Sequence, residues 1–351
     1  MLSYNYRTKK LSRIFGWRFG LCLTAFIGFL VGCDFKTEMK LAGRTMGTTW
    51  HITVMADFWT RQSTIRNAIE TELAAVNQSM SVHIPDSEIS RFNSLNVLNQ
   101  PFEISERFQE VLRVSRMVFD LTDGAWDGTI FPLIKLWGFN TDNPRRIPDS
   151  SEIQTLLKDV GFRHILFSDN RHIQKARIPL NLDLSSIAKG YGVDRVSAVL
   201  KSNNINRFLV EIGGEVYAAG EKKNRQFWRV GINMPKKHAP LKQVYAVVEM
   251  RDRAMATSGD YRNYIEVDGR QYSHIFDPRT GYPISNGVVS VSVLAETCTL
   301  ADGLATGLMV MGPEEGMKRI SHMKGVDCLM VVQNSDGSLT QIASDGFKTA
   351  P

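Results

Sequence analysis

A long run of strand patterns in the second half of the chain limits the folds that it can adopt. Strand signals dominate residues 207–277. Inside this run Asp268-Gly269 stands between Tyr264–Val267 and residues 270–272, and an Asp-Gly pair between two strand patterns is a strong sign of a β-hairpin. A run of this kind does not fit the regular strand–helix–strand alternation of a doubly wound fold.

Helical and strand patterns are interspersed in the rest of the chain. Apolar residues recur at steps of three and four from Ile65 to Met80, which predicts an amphipathic helix, and Ser105 is the expected cap of a second helix ending near Gly124. Further helices are predicted at 152–160, 186–200 and 297–311, the last closed by Gly312-Pro313, and further strands at 50–55, 164–168, 178–184 and 288–294, with a final hairpin at Asp336-Gly337. The fold class is therefore mixed α/β (α+β), with mixed sheets and packed helices in a single unit, and not a Rossmann fold.

The beginning of the chain has the order of a signal peptide. Five Lys and Arg residues and no acid occur in the first 18 residues, and an uncharged apolar stretch, 19–32, follows. That stretch is shorter than the roughly 20 residues of a membrane-spanning helix, and it ends in Leu30-Val31-Gly32-Cys33, which resembles a bacterial lipobox. We expect a signal peptide at 1–32, a lipidated terminus and tether at 33–42, and the folded domain at 43–351. An uncleaved signal anchor is the alternative.

Charge and cysteine content exclude some partners. The chain has 42 Lys and Arg against 36 Asp and Glu, and removing five leader cations from its net charge of +6 leaves +1. This balance does not indicate nucleic acid as a partner. Apart from Cys33, the processed chain keeps Cys298 and Cys328, which form no CxxC motif and no disulfide framework.

Four segments carry residues suited to chemistry, and common nucleotide and protease motifs such as GxGxxG, GxxxxGK[ST], HExxH and GxSxG are absent from the sequence. In ADGLATG, Asp302 and Thr306 are four residues apart and share one face of an apolar helix. A carboxylate with hydroxyl and carbonyl oxygens suits a hard cation such as Mg²⁺, although an exposed face with a local hydrogen bond also explains the pair.

The segment DLSSIAKGYGVD, 183–194, crosses from a strand pattern into a helix. Ser185 and Ser186 can cap this helix, and Lys189 in its first turn adds positive charge, which together favour an anion. A capped helix with a solvated lysine is the alternative. The segment VEIGGEVYAAG places Gly213-Gly214 between strands, where either a ligand approaches closely or a simple bulge occurs.

In the segment SHIFDPRTGYP, His274 stands just before a tight turn at Asp277-Pro278 and Thr280-Gly281. Histidine is the side chain best suited to move a proton near neutral pH. A general base and a purely structural hydrogen-bonding residue are both consistent with this position.

Read together and in order, these segments resemble the ApbE family of FAD:protein FMN transferases. The resemblance extends from Gly43 to about Pro313. The matching pieces are TMGT from Thr45, SEISRFN from Ser87, TDGAWD from Thr122, PLIKLWGF from Pro132, DLSSIAKGYGVD from Asp183, VEIGG from Val210, ATSGDYRNY from Ala256, HIFDPRTGYP from His274 and ADGLATGLMVMG from Ala301. A lipoprotein signal is also usual in this family.

The resemblance implies an ApbE-like catalytic unit with a site for each part of the reaction. Mg²⁺ would be held by Ser186, Asp302 and Thr306 against the pyrophosphate of FAD. His274, or in its place an aspartate near the metal, would take the proton of the attacking hydroxyl. The residues expected at the FAD are Met46, His83, Ala125, Trp126, Asp127, Asp183, Lys189 and Ile275. His83 departs from the family pattern, since many relatives carry Tyr beside the flavin at that place.

The resemblance also implies a reaction and its partners. FMN would pass from FAD to a Thr or Ser hydroxyl of an acceptor flavoprotein, releasing AMP. The acceptors would be subunits of Rnf- or Nqr-type respiratory complexes or other exported flavoproteins. Asp34, directly after Cys33, resembles the signal that retains lipoproteins at the inner membrane, which predicts an anchored protein facing the periplasm. A metal-dependent FAD pyrophosphatase and a non-catalytic flavin-binding lipoprotein are the competing functions.

Overall fold

The computed structural model describes residues 36–139, 146–236, 239–240, 243–260, 264–267 and 270–350. The predicted signal peptide, Cys33, Asp34 and the hairpin tip Asp268-Gly269 lie outside these residues. The chain divides into two units, Met1–Thr37 with Ala56–Thr60 and Glu38–Met55 with Arg61–Pro351, and each is considered by itself.

The described residues form seven α-helices and seventeen strands, numbered here in chain order. The helices are α1 Gln62–Met80, α2 Glu88–Asn93, α3 Glu106–Leu121, α4 Phe131–Leu136, α5 Ser150–Leu157, α6 Ala188–Ser202 and α7 Cys298–Ile320. The strands are β1 Thr37–Thr45, β2 Thr48–Ala56, β3 Phe102–Glu103, β4 Ile165–Phe167, β5 His172–Lys175, β6 Phe208–Ile212, β7 Glu215–Ala219, β8 Trp228–Asn233, β9 Val244–Met250, β10 Arg253–Gly259, β11 Tyr264–Val267, β12 Arg270–Ser273, β13 Phe276–Asp277, β14 Tyr282–Pro283, β15 Val288–Ala295, β16 Asp327–Gln333 and β17 Leu339–Ala343.

An eight-stranded sheet forms the framework of the second unit. Its strand order is β1-β2-β6-β7-β10-β15-β16-β17, and the pairings described from β2 onward are antiparallel. Ala254 in β10 lies opposite Tyr217 on one side and Ala295 on the other. Antiparallel neighbours need no crossover helix, which is why the strand run of the sequence assembles directly. The predicted mixed fold, distinct from a Rossmann fold, is confirmed.

Helix α7 is the central element of the core on one face of this sheet. It packs on β10, β15, α6 and α3, and Leu304 and Leu308 are fully buried. Residues on most of its circumference are buried, as expected for a helix that is apolar all round. The opposite face of the sheet is covered by the β8–β9 hairpin, where Trp228 and Met250 join a second buried cluster.

Helices α6 and α7 cap each other through carboxylates. Asp194 of α6 accepts the backbone N–H groups of Cys298 and Thr299 at 2.8 Å each, at the start of α7. In return, Asp302 of α7 accepts the N–H of Gly190 at 2.9 Å, in the first turn of α6. Each carboxylate thus satisfies donors that a helix start leaves without an internal partner, and the two starts are held side by side.

The predicted strand at 178–184 is wrong, because its backbone groups bond elsewhere. Asn93 accepts from the Leu182 N–H and donates to the Leu182 carbonyl, both at 2.8 Å. The Asp183 N–H donates to the carbonyl of Gly128 at 2.7 Å. A side-chain amide therefore takes the place of a neighbouring strand.

Two predicted helix ends also differ from the structure. Ser185 and Ser186 do not cap α6, because the chain makes a turn at Leu184–Ile187 first and Ile187 occupies the cap position without a side-chain bond. Helix α7 is interrupted at Gly312, where φ is 79°, as its Gly-Pro pair predicts, but helical structure then continues to Ile320. By contrast, Ser105 caps α3 and Thr297 caps α7 through their side chains.

The first unit is described at residues 36, 37 and 56–60. The Thr37 hydroxyl donates to the Ala56 carbonyl at 3.4 Å, and residues 57–60 form a turn. Strand β1 begins at Thr37, so regular structure starts within the stretch predicted as a tether. Of the helices described, none has the length and apolar character that a bilayer crossing demands.

Replacing Gly190 by Ala tests the contact between α6 and α7. A Cβ at Gly190 would lie 2.3 Å from the carbonyl oxygen of Cys298, which belongs to a rigid backbone. Helix propensity alone makes this change stabilising by about 1 kcal/mol, but overpacking costs about 1–3 kcal/mol, so we expect net destabilisation in urea unfolding. The matched control is Gly192→Ala, whose new Cβ meets the flexible end of Met46 at 3.0 Å and costs less. A more stable Gly190→Ala variant would contradict the close helix contact.

Candidate active site

A cleft of about 880 Å³ opens where several loop and helix starts meet in the second unit. One wall carries charged and hydroxyl-bearing side chains. It is formed by the start of α6, by α7, by the start of β7 and by the end of β10. The apolar wall of the cleft comes from α4 and the segment after β12. The side chains on this apolar wall are Ile130, Phe131, Ile134, Phe139, Ile275 and Phe276. Ligand pockets commonly combine an apolar wall with precisely placed polar groups.

Asp302 is buried at the charged wall. One of its carboxylate oxygens accepts the Gly190 N–H, and the other, Oδ1, lies 3.7 Å from Nζ of Lys189. Burial raises the pKa of Asp302 above its ordinary value, while the charge of Lys189 opposes that shift. The start of α6 therefore both fixes this carboxylate, through the Gly190 N–H, and places the Lys189 cation beside it.

Lys189 lies between two buried acidic side chains. Its Nζ is 3.4 Å from Oε1 of Glu215, besides the contact with Asp302. Burial acts to lower the pKa of Lys189, but the two acids outweigh burial and raise that pKa, so the ammonium stays charged. Burial likewise raises the pKa of Glu215 to about 8. Among the described residues, Oε2 of Glu215 is a buried oxygen without a hydrogen-bond partner.

The start of α6 offers less to an anion than the sequence suggests. The Ala188 N–H donates to the carbonyl of Leu184 at 2.8 Å, and the Gly190 N–H donates to Asp302. The positive group that lines the cleft here is the Lys189 side chain. Attraction of an anion to this wall therefore depends on Lys189 more than on the backbone.

Hydroxyl groups complete the same wall. The Thr306 hydroxyl is 2.9 Å from the Ser258 hydroxyl at the end of β10. The Ser186 hydroxyl accepts a hydrogen bond of 3.0 Å from the indole N–H of Trp126. Both hydroxyl oxygens thus have fixed positions beside the cleft.

The predicted ligands fit a hard divalent cation by their chemistry. Asp302, Thr306 and Ser186 all line the cleft and all offer oxygen. In the part of the chain that the structure describes, no three His, Cys, Asp or Glu side chains form a metal cluster. Mg²⁺ usually binds through one or two carboxylates together with waters and substrate phosphates, so one carboxylate and two hydroxyls suit a cation shared with a phosphate.

Asp127 lines the cleft but is already bound on both oxygens. Its Oδ1 accepts from the backbone and hydroxyl of Thr129, and its Oδ2 accepts from the Phe162 N–H at 2.9 Å. Asp183 similarly uses Oδ1 to accept the Ser185 N–H at 2.8 Å. Both carboxylates therefore stabilise loops of the cleft wall. Asp127 can contact a ligand only through its backbone or after its side chain breaks one of these hydrogen bonds.

His274 also lines the cleft and directly follows β12. Its Nδ1 lies 3.4 Å from Oδ1 of Asp260, and the same oxygen accepts from the Ser273 hydroxyl at 2.6 Å. The histidine side chain is about a third exposed at the cleft. A carboxylate beside one ring nitrogen favours a tautomer in which the other nitrogen can accept a proton.

Ten of the twelve predicted catalytic, FAD and metal residues line this cleft. They are Ala125, Trp126, Asp127, Asp183, Ser186, Lys189, His274, Ile275, Asp302 and Thr306. Met46, in the β1–β2 turn, lies against Gly192 of α6, and His83 is exposed after α1; neither is among the lining residues. The individual roles of all twelve stay predictions.

Two residues of the site were missed by sequence reasoning. Glu215 follows the Gly213-Gly214 pair, and Asp260 lies in the ATSGDYRNY segment. An acid at the first position of an apolar strand, EVYAA, was the available signal for Glu215. The predicted hairpin at Asp268-Gly269 brings the segments of Asp260 and His274 together, but the contact between the two side chains was not predicted.

Comparison with known proteins agrees with this geometry. The sequence profile of the ApbE family matches residues 46–330, and the chain therefore belongs to the ApbE family. It is 41% identical over 331 residues to a Vibrio cholerae protein named FAD:protein FMN transferase, covering 93% of this chain and 97% of the relative. An Escherichia coli protein of the same name is 36% identical over 344 residues, covering 94% and 96%.

Solved structures give the same result. The flavin transferase ApbE from Vibrio cholerae superposes with a TM-score of 0.79 at 39% identity, covering 89% of this chain and 98% of that one. The apo form of Pseudomonas stutzeri flavinyl transferase ApbE gives a TM-score of 0.78 at 32% identity, covering 88% and 95%. The fold is that of the ApbE flavin transferases, and the chain is an enzyme of the transferase class.

The raised pKa of Glu215 predicts a change of stability with pH. Glu215 loses its proton near pH 4.5 when unfolded and near pH 8 when folded. Between these values the folded state binds the extra proton, so the contribution of Glu215 to the free energy of unfolding falls as pH rises. Glu215→Gln removes this dependence. We expect urea unfolding to favour the variant over the wild type progressively from pH 5 to pH 8; a constant difference would contradict the assignment.

Proposed function

We propose that this chain is an FAD:protein FMN transferase. The observation that carries the proposal is one cleft with an apolar wall beside a buried Lys189–Asp302–Glu215 cluster, in a chain whose relatives bear that name. A flavin ring suits the apolar wall, and a pyrophosphate suits the lysine and the oxygen ligands opposite it.

Charge at the pyrophosphate is the main barrier that the site must lower. Lys189, held in the charged state by two acids, provides a fixed positive group at this wall. Asp302, Thr306 and Ser186 would hold Mg²⁺, which when bound supplies further positive charge to the pyrophosphate and makes AMP a better leaving group.

The transfer step needs a group that accepts a proton. As the hydroxyl oxygen of a Thr or Ser in the acceptor protein bonds to the phosphorus of FMN, the phosphorus–oxygen bond to AMP breaks. His274 takes the proton of that hydroxyl, and Asp260 beside Nδ1 stabilises the resulting imidazolium. The flavin is cargo in this reaction, so no redox step is required of the protein.

The protein acts at the periplasmic face of the inner membrane, anchored by acyl groups on Cys33. The basic leader, the short apolar stretch and Asp34 support this location. Its acceptors are exported flavoproteins, including subunits of Rnf- or Nqr-type complexes. Mass spectrometry of the membrane-extracted protein tests the acylation.

One incubation tests the reaction itself. The full protein is mixed with FAD, Mg²⁺ and an acceptor flavoprotein subunit, and then analysed by fluorescence on a denaturing gel and by an AMP assay. Fluorescent acceptor with AMP supports transfer. Free FMN and AMP without labelled acceptor indicate a pyrophosphatase, and the absence of both products indicates flavin storage.

Asp302→Ala should reduce product formation by roughly a hundredfold or more, because it removes the one carboxylate among the predicted metal ligands. Since Asp302 also caps α6, the second variant is Thr306→Val, which keeps that cap and loses only the hydroxyl. The matched control is Asp86→Ala at an exposed aspartate outside the cleft, which should keep full activity. Full activity in both site variants would refute the metal assignment.

His274→Gln should lower kcat by about 10²- to 10⁴-fold while FAD binding persists, because the change removes the proton acceptor and leaves both cleft walls intact. Labelling of the acceptor, stopped at successive times, measures the rate, and quenching of flavin fluorescence measures FAD binding. His322→Gln, at an exposed histidine outside the cleft, is the control. An unchanged rate in the His274 variant would exclude it as the base.

A further inference from the structure

Two aromatic side chains stand at the tip of a turn in the first unit. The Thr60 N–H donates to the Asp57 carbonyl at 2.9 Å, which leaves Phe58 and Trp59 at the two central turn positions. Phe58 is 74% exposed and Trp59 is 67% exposed. Their ring centroids are 4.7 Å apart in an edge-on arrangement, so the rings form one joint apolar tip.

This composition is unusual for a turn and unusual for this chain. Central turn positions typically hold Pro, Gly, Asn, Asp or Ser, which tolerate water and the turn geometry. The other tryptophans among the described residues are each at most 3% exposed: Trp50, Trp126, Trp137 and Trp228. Among the described tryptophans, an exposed side chain is therefore confined to the turn. The geometry of the turn does not require either aromatic residue.

The turn lies close to the predicted lipid. Thr37 bonds to Ala56, the residue directly before the turn, within the same unit. Cys33 precedes Thr37 by four residues, and an extended chain spans at most about 3.6 Å per residue, which limits the separation to about 14 Å. An acylated Cys33 thus holds the turn within reach of the bilayer surface.

The chemistry of the tip fits the membrane interface. Tryptophan is enriched at the boundary between headgroups and acyl chains, where its ring is apolar and its N–H remains hydrated. Phenylalanine adds apolar area to the same contact. The turn also contains one acid, Asp57. It directly precedes Phe58 in the sequence and lies at the base of the turn, so no charged residue separates the two aromatic residues.

We propose that Phe58 and Trp59 insert into the bilayer interface and form a second membrane contact beside the acylated terminus. This inference rests on the acylation of Cys33 proposed above. The lipid chains supply the affinity, and the aromatic tip restricts the rotation of its unit about the short tether. The partner is the lipid surface of the membrane that carries the anchor.

The test measures contact between Trp59 and lipid in the processed, acylated protein purified from membranes. Purified protein is reconstituted into phosphatidylcholine–phosphatidylglycerol vesicles, with or without lipids brominated near the headgroup end of their acyl chains. Bromine quenches tryptophan at short range. Since Trp59 is one of five tryptophans after the leader, we expect brominated lipid to remove about one-fifth of the fluorescence, and Trp59→Phe to abolish this effect.

A matched variant separates the turn from general surface contact. In the Trp59→Phe background, Phe167→Trp moves the exposed tryptophan to an exposed phenylalanine in β4, and this variant should escape quenching. Absence of quenching in the wild type, persistence in Trp59→Phe, or equal quenching at position 167 would each overturn the proposal. Mass spectrometry of the same vesicles reports acylation of Cys33 separately, so a failed anchor is distinguished from a failed turn contact.

Discussion

The exchange of carboxylate caps between α6 and α7 is the interaction on which the site depends. Asp194 accepts the first N–H groups of α7, and Asp302 accepts an N–H in the first turn of α6. Gly190 permits this exchange because any Cβ there would meet the backbone of Cys298. The two helix starts, each carrying partial positive charge, are thereby brought together without repulsion, since each also carries an acid.

These reciprocal caps explain why Asp302 contributes both to the packing of the two helices and to the candidate site. Asp302 must be buried to cap α6, and in that position it lies beside Lys189 and at the wall of the cleft. Lys189 in turn contacts Glu215 at the start of β7, so a helix start, a second helix and the large sheet converge on one charged cluster. One buried oxygen of Glu215 has no hydrogen-bond partner among the described residues, and such oxygens in native structures commonly bind an ordered water or an ion.

Ten of the twelve predicted residues line the cleft, some predicted from their own chemistry and the others from the resemblance to the ApbE family. Asp302 and Thr306 could be paired from their spacing on a helix, and His274 could be recognised from its residue type. Sequence reasoning failed where a backbone group finds a distant partner. The segment 178–184 has the composition of a strand, yet Asn93 and Gly128 take its hydrogen bonds. Ser185 and Ser186 are residue types that commonly cap helices. In the structure, however, the carboxylate that accepts an N–H in the first turn of α6 belongs to Asp302, 112 positions further along the chain.

The sequence by itself determined the mixed fold, the hairpins, the apolar helix at the centre and the residue types of the site, because these follow from local periodicity and side-chain chemistry. Only the tertiary structure decided which acids face which bases. The Glu215–Lys189 contact joins segments that are distant along the chain, and the Asp260–His274 contact lies beyond the strands of the predicted hairpin. Burial, which sets the pKa values of Glu215 and Asp302, likewise exists only once the sheet and helices have packed.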